Sequence, residues 1–319
     1  MDKAVGSLLA ALFPSDCRFC QASLFSLSRL PVCNSCIESI RPIQFASCTR
    51  CGDLLALADS NFGDACCPRC SSESPEYERA VNFSSYTGAL RQLIHLLKYE
   101  RVRVAAKPLG HLAAEACRKL QDEISASDLL MIPVPAHKTR LRARGFNQAE
   151  LIARAARRPI EQILGRRLTL ETSLLLRTRF VGSQVARTAE ERRQQIRGAF
   201  KVTTPARLKG RTILLIDDVL TTGATAAECS RELRHAGAAE VWVATPARAL
   251  SRIAMESFDR PEEVFPEYAG RVFSASSSYP VSLSLSGPAQ SPVLLRRGIA
   301  SNHAVEQRAG VSPLGGRLL

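Results

Sequence analysis

The hydrophobic positions of the chain divide it into three parts. Between Leu90 and Arg248, short continuous apolar runs alternate with stretches of helical spacing, whereas residues 1–70 have few long hydrophobic runs. Beyond Leu250 the periodicity fades into Ser-, Pro- and Gly-rich sequence. We therefore predict a folded central region, a small N-terminal region that ends between Ser71 and Glu78, and a flexible tail over residues 251–319.

Three apolar runs are typical of strands buried on both faces of a parallel sheet. They are DLLMIPVP (Asp128–Pro135), RTILLIDDVL (Arg211–Leu220) and EVWVATP (Glu240–Pro246). Residues Thr225–His235 have helical composition and stop before Gly237, which favours the end of a helix there. The order strand, loop, helix, strand predicts a βαβ unit, and the fold class is α/β.

Positive charge is concentrated in one region of this basic chain. The formal net charge is +13, and residues Met131–Arg211 hold 19 of the 43 Lys and Arg but only 5 of the 30 Asp and Glu. Such a field attracts phosphates, either of a small metabolite or of a nucleic-acid backbone. Solvated arginine-rich helix faces would have the same composition, so both interpretations stay open.

The length of 319 residues and the hydrophobic content of 45% allow one large or two unequal globular domains. No apolar run approaches the roughly 20 residues that a membrane span needs. The short stretch Leu8–Phe13 precedes Pro14 and a cysteine pair rather than a small-residue cleavage site. We therefore expect a cytoplasmic protein without a membrane span.

Eight of the 11 cysteines form four C-x-x-C pairs. The pairs are Cys17 and Cys20, Cys33 and Cys36, Cys48 and Cys51, and Cys67 and Cys70. The two-residue gap lets a tight turn aim both sulfurs at one ion, and tetrahedral zinc takes two such turns. The sequence predicts two structural zinc sites, and leaves open which pairs share an ion.

Other uses of the cysteines are less consistent with the pattern. Four copies are too many for a redox motif, and a cytosolic chain disfavours disulfides. Cys66 can replace Cys67 as a ligand, although only Cys67 keeps the two-residue gap. Cys117 and Cys229 lie within apolar helical patterns, where we expect buried, inert thiols.

The stretch LLIDDVLTTGAT (Leu214–Thr225) places two adjacent acids and a loop of small residues between a buried strand and a helix. The loop consists of Thr221, Thr222, Gly223, Ala224 and Thr225. It offers an anion free backbone N–H groups and the positive end of a helix. Asp217 and Asp218 lie at the carboxyl end of the strand, where open α/β sheets bind ligands, and two carboxylates suit a vicinal diol. A Walker A loop would need Gly-Lys-Ser/Thr, and a dinucleotide-binding loop more glycines.

The strand, the paired acids and the loop together resemble the motif with which type I phosphoribosyltransferases bind 5-phosphoribosyl-1-pyrophosphate (PRPP). Three segments precede it behind the cysteine pairs, in this order: LIHLLKYER (Leu93–Arg101), IPVPAHKTRLRARGFNQAELIAR (Ile132–Arg154) and SQVARTAEERRQQIRGAF (Ser183–Phe200). This arrangement is similar to the ComF family, including ComFC and GntX. The resemblance covers about Leu8–Arg248 and implies a double zinc ribbon over residues 1–75. It further implies a type I phosphoribosyltransferase fold, a parallel sheet with flanking helices, over residues 80–250.

The resemblance also implies roles for individual residues. Asp217 and Asp218 would hold the ribose hydroxyls, and the loop Thr221–Thr225 would bind the 5-phosphate. The pyrophosphate would lie where guanidinium groups can donate two hydrogen bonds each; the matching positions are Arg142, Arg144, Gly145, Asn147 and Gln148. Lys98 either adds to this contact or is an exposed helix lysine. Residues Arg177–Arg193 correspond to a hood that closes over PRPP and excludes water.

Two functions fit these features. An enzyme would displace pyrophosphate from C1 of PRPP with a nitrogen nucleophile, with Mg²⁺ bridging pyrophosphate oxygens and Arg142 and Arg144 stabilising the leaving group. A non-catalytic accessory factor in competence or DNA uptake would sense PRPP or a nucleotide and bind single-stranded DNA and a competence helicase. Aromatic residues make up only 6% of the chain, so any DNA contact should be mainly electrostatic. The sequence identifies neither the acceptor nor the oligomeric state.

Overall fold

The computed structural model describes residues 15–24, 29–44, 46–55, 66–180 and 189–250. All of them belong to one compact unit, Met1–Phe273. The strands are β1 (Ser15–Asp16), β2 (Ser23–Leu24), β3 (Ala80–Ser85), β4 (Asp128–Pro133), β5 (Arg167–Leu170), β6 (Leu175–Arg177), β7 (Phe200–Val202), β8 (Thr212–Ile216), β9 (Val219–Leu220) and β10 (Glu240–Arg248). The helices are α1 (Asn34–Glu38), α2 (Pro68–Ser72), α3 (Gly88–Lys98), α4 (Ala106–Ala116), α5 (Lys138–Arg144), α6 (Gln148–Leu164), α7 (Ala189–Ile196) and α8 (Ala224–His235). The stretch Leu8–Phe13 and the predicted tail over residues 251–319 lie outside the described residues.

A parallel sheet forms the centre of the fold. Its strand order is β3-β10-β8-β4-β5, and the short strand β9 also pairs with β10. The three apolar runs become β4, β8 with β9, and β10, and α8 connects β9 to β10. The predicted α/β fold class and the βαβ unit are therefore confirmed.

Helices cover this sheet on both faces, which explains why its strands are continuously apolar. Ile213 and Leu215 of β8 pack in one core cluster with Cys229 and Leu233 of α8. Because side chains alternate along a strand, the equally buried Leu214 faces the other side of the sheet. Helices α4 and α6 pack against each other, and both contact strands of the sheet.

Strand pairing is interrupted at the two acids. Ile216 pairs with Ala244 and Val219 with Ala247, so the register offset is the same on both sides of the gap. The N–H of Asp217 still donates to the carbonyl of Ala244 over 3.3 Å. The next bond of a regular parallel ladder would need an N–H at position 246, and Pro246 has none. The acids consequently lie in an opening of the sheet.

The N-terminal cysteine-rich segments attach directly to the edge strand of the sheet. The N–H of Ala80 donates to the carbonyl of Arg50 over 2.7 Å, and that of Ile43 to the carbonyl of Phe83 over 2.8 Å. Gly52 lies against Asn82 with a φ of +67°, and a Cβ at this position would be 2.3 Å from Asn82 Nδ2. Only glycine therefore allows the two backbones to approach this closely.

Within the part of the chain that the structure describes, no helix combines the length and apolar character of a membrane span.

Candidate functional site

Eight cysteine sulfurs gather into two groups of four. The first group is Cys17, Cys20, Cys33 and Cys36, and the second group is Cys48, Cys51, Cys67 and Cys70. Within each group all ligand atoms lie within 4.8 Å of one another. The C-x-x-C pairs are thus combined in sequence order, which resolves the pairing that the sequence left open.

The spacing of the sulfurs fits a tetrahedral metal site. The Sγ atoms of Cys17 and Cys36 are 3.8 Å apart, and those of Cys51 and Cys67 are 3.7 Å apart. Four sulfurs at the usual zinc distance of about 2.3 Å would be about 3.8 Å from one another in a tetrahedron. Arg69 Nη2 also donates to Cys51 Sγ over 3.6 Å, an outer-shell contact of the kind that supports thiolate ligands.

The other three cysteines are placed as the sequence predicts. Cys66 lies outside the second group, and its Sγ is 3.5 Å from Thr49 Oγ1. Cys117 and Cys229 are fully buried, and burial raises the pKa of both thiols well above its usual value. A raised thiol pKa leaves little nucleophilic thiolate at neutral pH.

The side chain of Lys98 forms an ion pair with one of the paired acids at the gap in the sheet. Its Nζ lies 2.9 Å from Asp218 Oδ1, and the two side chains are 18% and 14% exposed. Leu93 and Leu97 on the buried face of α3 fix the end of the helix, where Lys98 is the last residue. Lys98 is therefore a partner of the acids and not an exposed helix lysine.

Asp217 has a strongly raised pKa. Burial raises the pKa of Asp217 to about 7, with a further contribution from the charge of Asp218. The backbone N–H of Asp218 donates to Asp217 Oδ1 over 2.8 Å, which partly offsets this effect. Burial disfavours the charged form of Lys98, but Asp218 raises the pKa of its ammonium above the ordinary value. An ion pair thus lies beside a carboxyl group that titrates near neutral pH.

The loop after β9 leads directly into α8. Gly223 has a φ of +77° and caps the N-terminus of α8. A Cβ at Gly223 would lie 3.4 Å from the hydroxyl oxygen of the buried Tyr77, so the loop passes close to that ring. The N–H of Ala224 donates to Thr222 Oγ1 over 3.4 Å. An anion at the N-terminus of α8 stays a prediction.

The segment proposed for the pyrophosphate forms a short surface helix, α5. Arg142 is exposed on it, and α5 ends at Gly145 with a φ of +80°. Arg103 Nη2 donates to the carbonyl of Gly145 over 3.1 Å. The guanidinium of Arg144 lies over the ring of Tyr99, 5.5 Å from its centre. The structure thus turns Arg144 towards the end of α3, next to Lys98.

Asn147 and Gln148 hold this segment to the sheet. Asn147 Nδ2 donates to the carbonyl of Val134 over 3.0 Å, and Gln148 is 4% exposed at the start of α6. The N–H of Val134 in turn donates to the carbonyl of Ile216 over 2.8 Å, directly before the acids. A contact of Asn147 or Gln148 with a ligand stays a prediction.

Arg140, Arg144 and Arg177 form a cationic cluster beside the acids. Burial lowers the pKa of Arg144 and of Arg177, and the charge of Arg140 lowers both further. The charge of Asp218 acts to raise the pKa of Arg144, and the charge of Asp217 acts to raise the pKa of Arg177. Arg177 Nε is buried and has no hydrogen-bond partner among the described residues. An anion with several oxygens would relieve the repulsion within this cluster.

The segment assigned to the hood is described at its two ends. Arg177 ends β6, which pairs with β7 in an antiparallel ribbon, and α7 precedes β7; residues 181–188 lie outside the described part. Glu228 of α8 accepts a hydrogen bond from the N–H of Gly198 over 2.6 Å. A cavity of about 270 Å³ opens between α2, α7 and α8, and Thr222 and Gly223 contribute to its wall.

Sequence reasoning missed Arg140, Tyr99 and Arg248, and it used Arg177 only as a boundary of the hood. Arg248 is 1% exposed at the end of β10. A charged residue that follows a continuous apolar strand was the available signal, because a buried charge needs specific partners. Arg140 and Tyr99 have no such signal, since exposed arginines and aromatic rings are common on helix ends.

Comparison with known proteins agrees with the fold and the motifs. The family model described as "Phosphoribosyl transferase domain" matches residues 153–272. The chain is 31% identical over 237 residues to DNA utilization protein YhgH of Salmonella typhimurium, covering 72% of this chain and 95% of that protein. It is 28% identical over 242 residues to Competence protein F of Haemophilus influenzae, covering 74% of this chain and 98% of that protein.

Among solved structures, the chain is similar to the glutamine PRPP amidotransferase of B. subtilis complexed with ADP and GMP. The two are 22% identical with a TM-score of 0.26, and the match covers 44% of this chain and 26% of that chain.

The parallel sheet, the acid pair and the loop define a protein with a phosphoribosyltransferase domain, preceded by cysteine groups that fit a zinc ribbon. The chain belongs to the ComF family. The names of the two relatives connect those proteins with DNA utilization and competence.

Proposed function

We propose that this site binds PRPP with Mg²⁺ and transfers its phosphoribosyl group to a nitrogen nucleophile. The observation that supports this best is the ion pair between Lys98 and Asp218, because Arg144 is electrostatically coupled to the same acid and the loop Thr221–Thr225 follows it in sequence. PRPP carries a ribose diol between a 5-phosphate and a pyrophosphate. The site therefore has a candidate group for each part of this ligand.

Each part of the site has a defined task in this proposal. Asp217 and Asp218 accept hydrogen bonds from the ribose hydroxyls, and the backbone N–H groups of Thr221–Thr225 bind the 5-phosphate. Arg144, with the exposed Arg142, neutralises the pyrophosphate as the bond from C1 to its oxygen breaks and the new bond from C1 to nitrogen forms. Mg²⁺, when bound with PRPP, would spread the charge of the pyrophosphate oxygens.

Titration calorimetry with PRPP and Mg²⁺ tests the binding step. We expect the wild-type protein to bind and the double variant D217A/D218A to lose at least tenfold in affinity, because each acid holds one hydroxyl. A matched control is Asp122→Ala, since Asp122 is exposed and far from the sheet opening in sequence. Equal binding by all three proteins, or by none, would reject the proposal. Pyrophosphate release with a panel of nitrogen nucleophiles then tests transfer.

Zinc is the metal we propose for both cysteine groups. All four positions of each site would be filled by sulfur, so the metals stabilise structure and activate no water. Metal analysis of the purified protein should find two zinc ions per chain. Less than one zinc per chain would refute the assignment.

A second function, single-stranded DNA binding by an accessory factor, is favoured by one surface. Tyr99 is 64% exposed and Phe180 is 48% exposed, and the ring of His137 lies 5.3 Å from that of Phe180. No residue of helix α5 is fully buried, and the helix supplies arginines next to these rings. Exposed rings stack on bases while arginines contact phosphates. A competence helicase as a further partner stays a prediction.

Fluorescence anisotropy with a labelled oligothymidine tests this surface. We expect Tyr99→Ala to weaken binding about tenfold, and binding to weaken between low and moderate salt. Leu176→Ala is the control, because Leu176 is 46% exposed but offers no ring. Affinity that is independent of both salt and Tyr99 would exclude the interface.

A further inference from the structure

Arg248 connects the phosphate loop to the second cysteine group. Its Nη1 donates to the carbonyl of Leu220 over 3.0 Å and also to the carbonyl of Thr221. Its Nη2 forms an ion pair with Asp53 Oδ2 at 3.0 Å and lies 3.9 Å from Cys51 Sγ. One buried guanidinium thus touches two elements that are far apart in the sequence.

The contacts of Nη1 set the direction of the loop amides. In a trans peptide the C=O of one residue and the N–H of the next point in opposite directions. The N–H of Ala249 also donates to the carbonyl of Leu220 over 2.9 Å, so this peptide is held twice, whereas the carbonyl of Thr221 is held by Arg248. Because both carbonyls lie on the side of Arg248, the N–H groups of Thr221 and Thr222 face the opposite side. Those are the first two amides of the loop proposed to bind phosphate.

The contacts of Nη2 depend on the cysteine group. Four thiolates with one divalent ion carry a net charge of about −2, and buried charge requires compensation. Arg248 and Arg69 both approach Cys51 Sγ, at 3.9 and 3.6 Å. Asp53 Oδ1 and Arg248 Nε are buried without a hydrogen-bond partner in the described ranges. The position of Arg248 is therefore determined by the charges of Asp53 and the sulfurs.

We propose that Arg248 is a positioning residue that orients the amides of the phosphate loop and couples anion binding to metal occupancy of the second cysteine group. The part that concerns anion binding rests on the proposed function. The part that concerns loop geometry does not, and the two can be measured separately.

Nitrogen-15 relaxation NMR of the full chain, which needs no ligand, tests the loop geometry. In Arg248→Met we expect the order parameters of the Thr222 and Gly223 amides to fall from a rigid value of about 0.85 to below about 0.6, with two zinc ions retained. Arg248→Lys keeps the charge and should restore part of the rigidity. Arg69→Met is the matched control, because Arg69 contacts Cys51 Sγ and its hydrogen bonds within the described ranges do not reach the loop carbonyls; its loop order parameters should stay at the wild-type values.

Zinc release to a chromogenic chelator tests the coupling. When PRPP with Mg²⁺ holds the loop, Arg248 in turn keeps Asp53 and the second group in place, so zinc release from this group should slow by about fivefold or more in the wild type. The first group serves as the internal control, and its release rate should not change. Arg248→Met should lose the effect of PRPP, a result that a merely structural role would not produce.

The outcomes separate this inference from the proposed function. Wild-type loop order parameters in Arg248→Met overturn the positioning role, whatever the protein binds. PRPP protection of the second group that persists in Arg248→Met overturns the coupling. If the wild type binds no PRPP, the proposed function and the coupling both fail, while the relaxation result still decides the loop geometry. Should Arg248→Met not fold, Asp53→Asn removes the negative charge that pairs with Nη2 and should give a smaller fall in the loop order parameters; no fall there would count against the role.

Discussion

Lys98 Nζ and Asp218 Oδ1 lie 2.9 Å apart, and this ion pair joins the end of α3 to the gap between β8 and β9. Its two residues come from opposite ends of the sheet-forming sequence. The ammonium also lowers the pKa of Asp217, against the effect of burial and of Asp218. The titration of Asp217 therefore depends on a helix that precedes it by more than one hundred residues.

Replacing Lys98 should weaken ligand binding and shift the titration of its neighbour. For Lys98→Met we expect about tenfold weaker binding of PRPP with Mg²⁺, or ~1.4 kcal/mol, because a charged contact to the pyrophosphate is lost. The pKa of Asp217 should rise further, since a cation that favours its carboxylate is gone. Calorimetry and carboxyl-carbon NMR measure the two effects. The exposed Lys107→Met should change neither, and an unchanged Asp217 titration in Lys98→Met would contradict the electrostatic role.

The titration of Asp217 should appear in the pH dependence of stability. Its pKa is about 7 in the folded protein and 3.8 ordinarily, so the folded state binds more protons between these values. The stabilising contribution of this proton is complete below about pH 4 and is lost as the pH rises to about 7. Asp217→Asn lacks this loss, so its Tm relative to wild type should rise from about pH 4 to about pH 7 and level off at higher pH. Asp122→Asn should run parallel to wild type; a constant Tm difference for Asp217→Asn would disprove the shift.

Metal removal should proceed in two phases. All four cysteines of the second group are buried, whereas Cys20 of the first group is exposed and Cys33 and Cys36 are half-buried. A chelator reaches the first group without disturbing the sheet, so we expect fast release of one zinc and at least tenfold slower release of the other. Cys20→Ser should abolish the fast phase alone. Release in one phase would show that the two groups do not differ in accessibility.

Gly52 should be more sensitive to substitution than a glycine of the same backbone conformation elsewhere. Gly52 and Gly210 have φ values of +67° and +69°, but only at Gly52 would a Cβ clash, 2.3 Å from Asn82 Nδ2. Gly210→Ala should cost about 1 kcal/mol of unfolding free energy from backbone strain. Gly52→Ala should cost a further ~1–3 kcal/mol because the cysteine-rich segment must move away from β3. Urea unfolding with zinc present measures both, and equal losses would mean that the contact with Asn82 is not tight.

Local sequence patterns predicted the strands correctly and identified the eight cysteines whose sulfurs lie together. The apolar runs at β4, β8 and β10 indicate burial on both faces. The two-residue gap of C-x-x-C brings two sulfurs together by itself, and it also distinguishes Cys67 from Cys66. The combination of the pairs into two groups depends on how the chain folds back over many residues. No local pattern contains that information.

Long-range contacts account for the parts of the site that the sequence left open or missed. The sequence alone is equally consistent with an exposed Lys98, because its partner Asp218 is distant in the sequence. The partners of Arg248 are at positions 53, 220 and 221, so its role follows only from the tertiary structure. The helix α5 lies in the segment predicted to contact the pyrophosphate, and its capping by His137 and Gly145 explains why a short helix forms there.

Pro246 is the one residue of β10 without a backbone N–H, and it stands opposite the gap between β8 and β9. An alanine at this position would supply the amide proton that the carbonyl of Asp217 lacks in the ladder. The missing donor and the acidic pair therefore coincide in the sheet, so a residue with no charge of its own contributes to the setting of both acids.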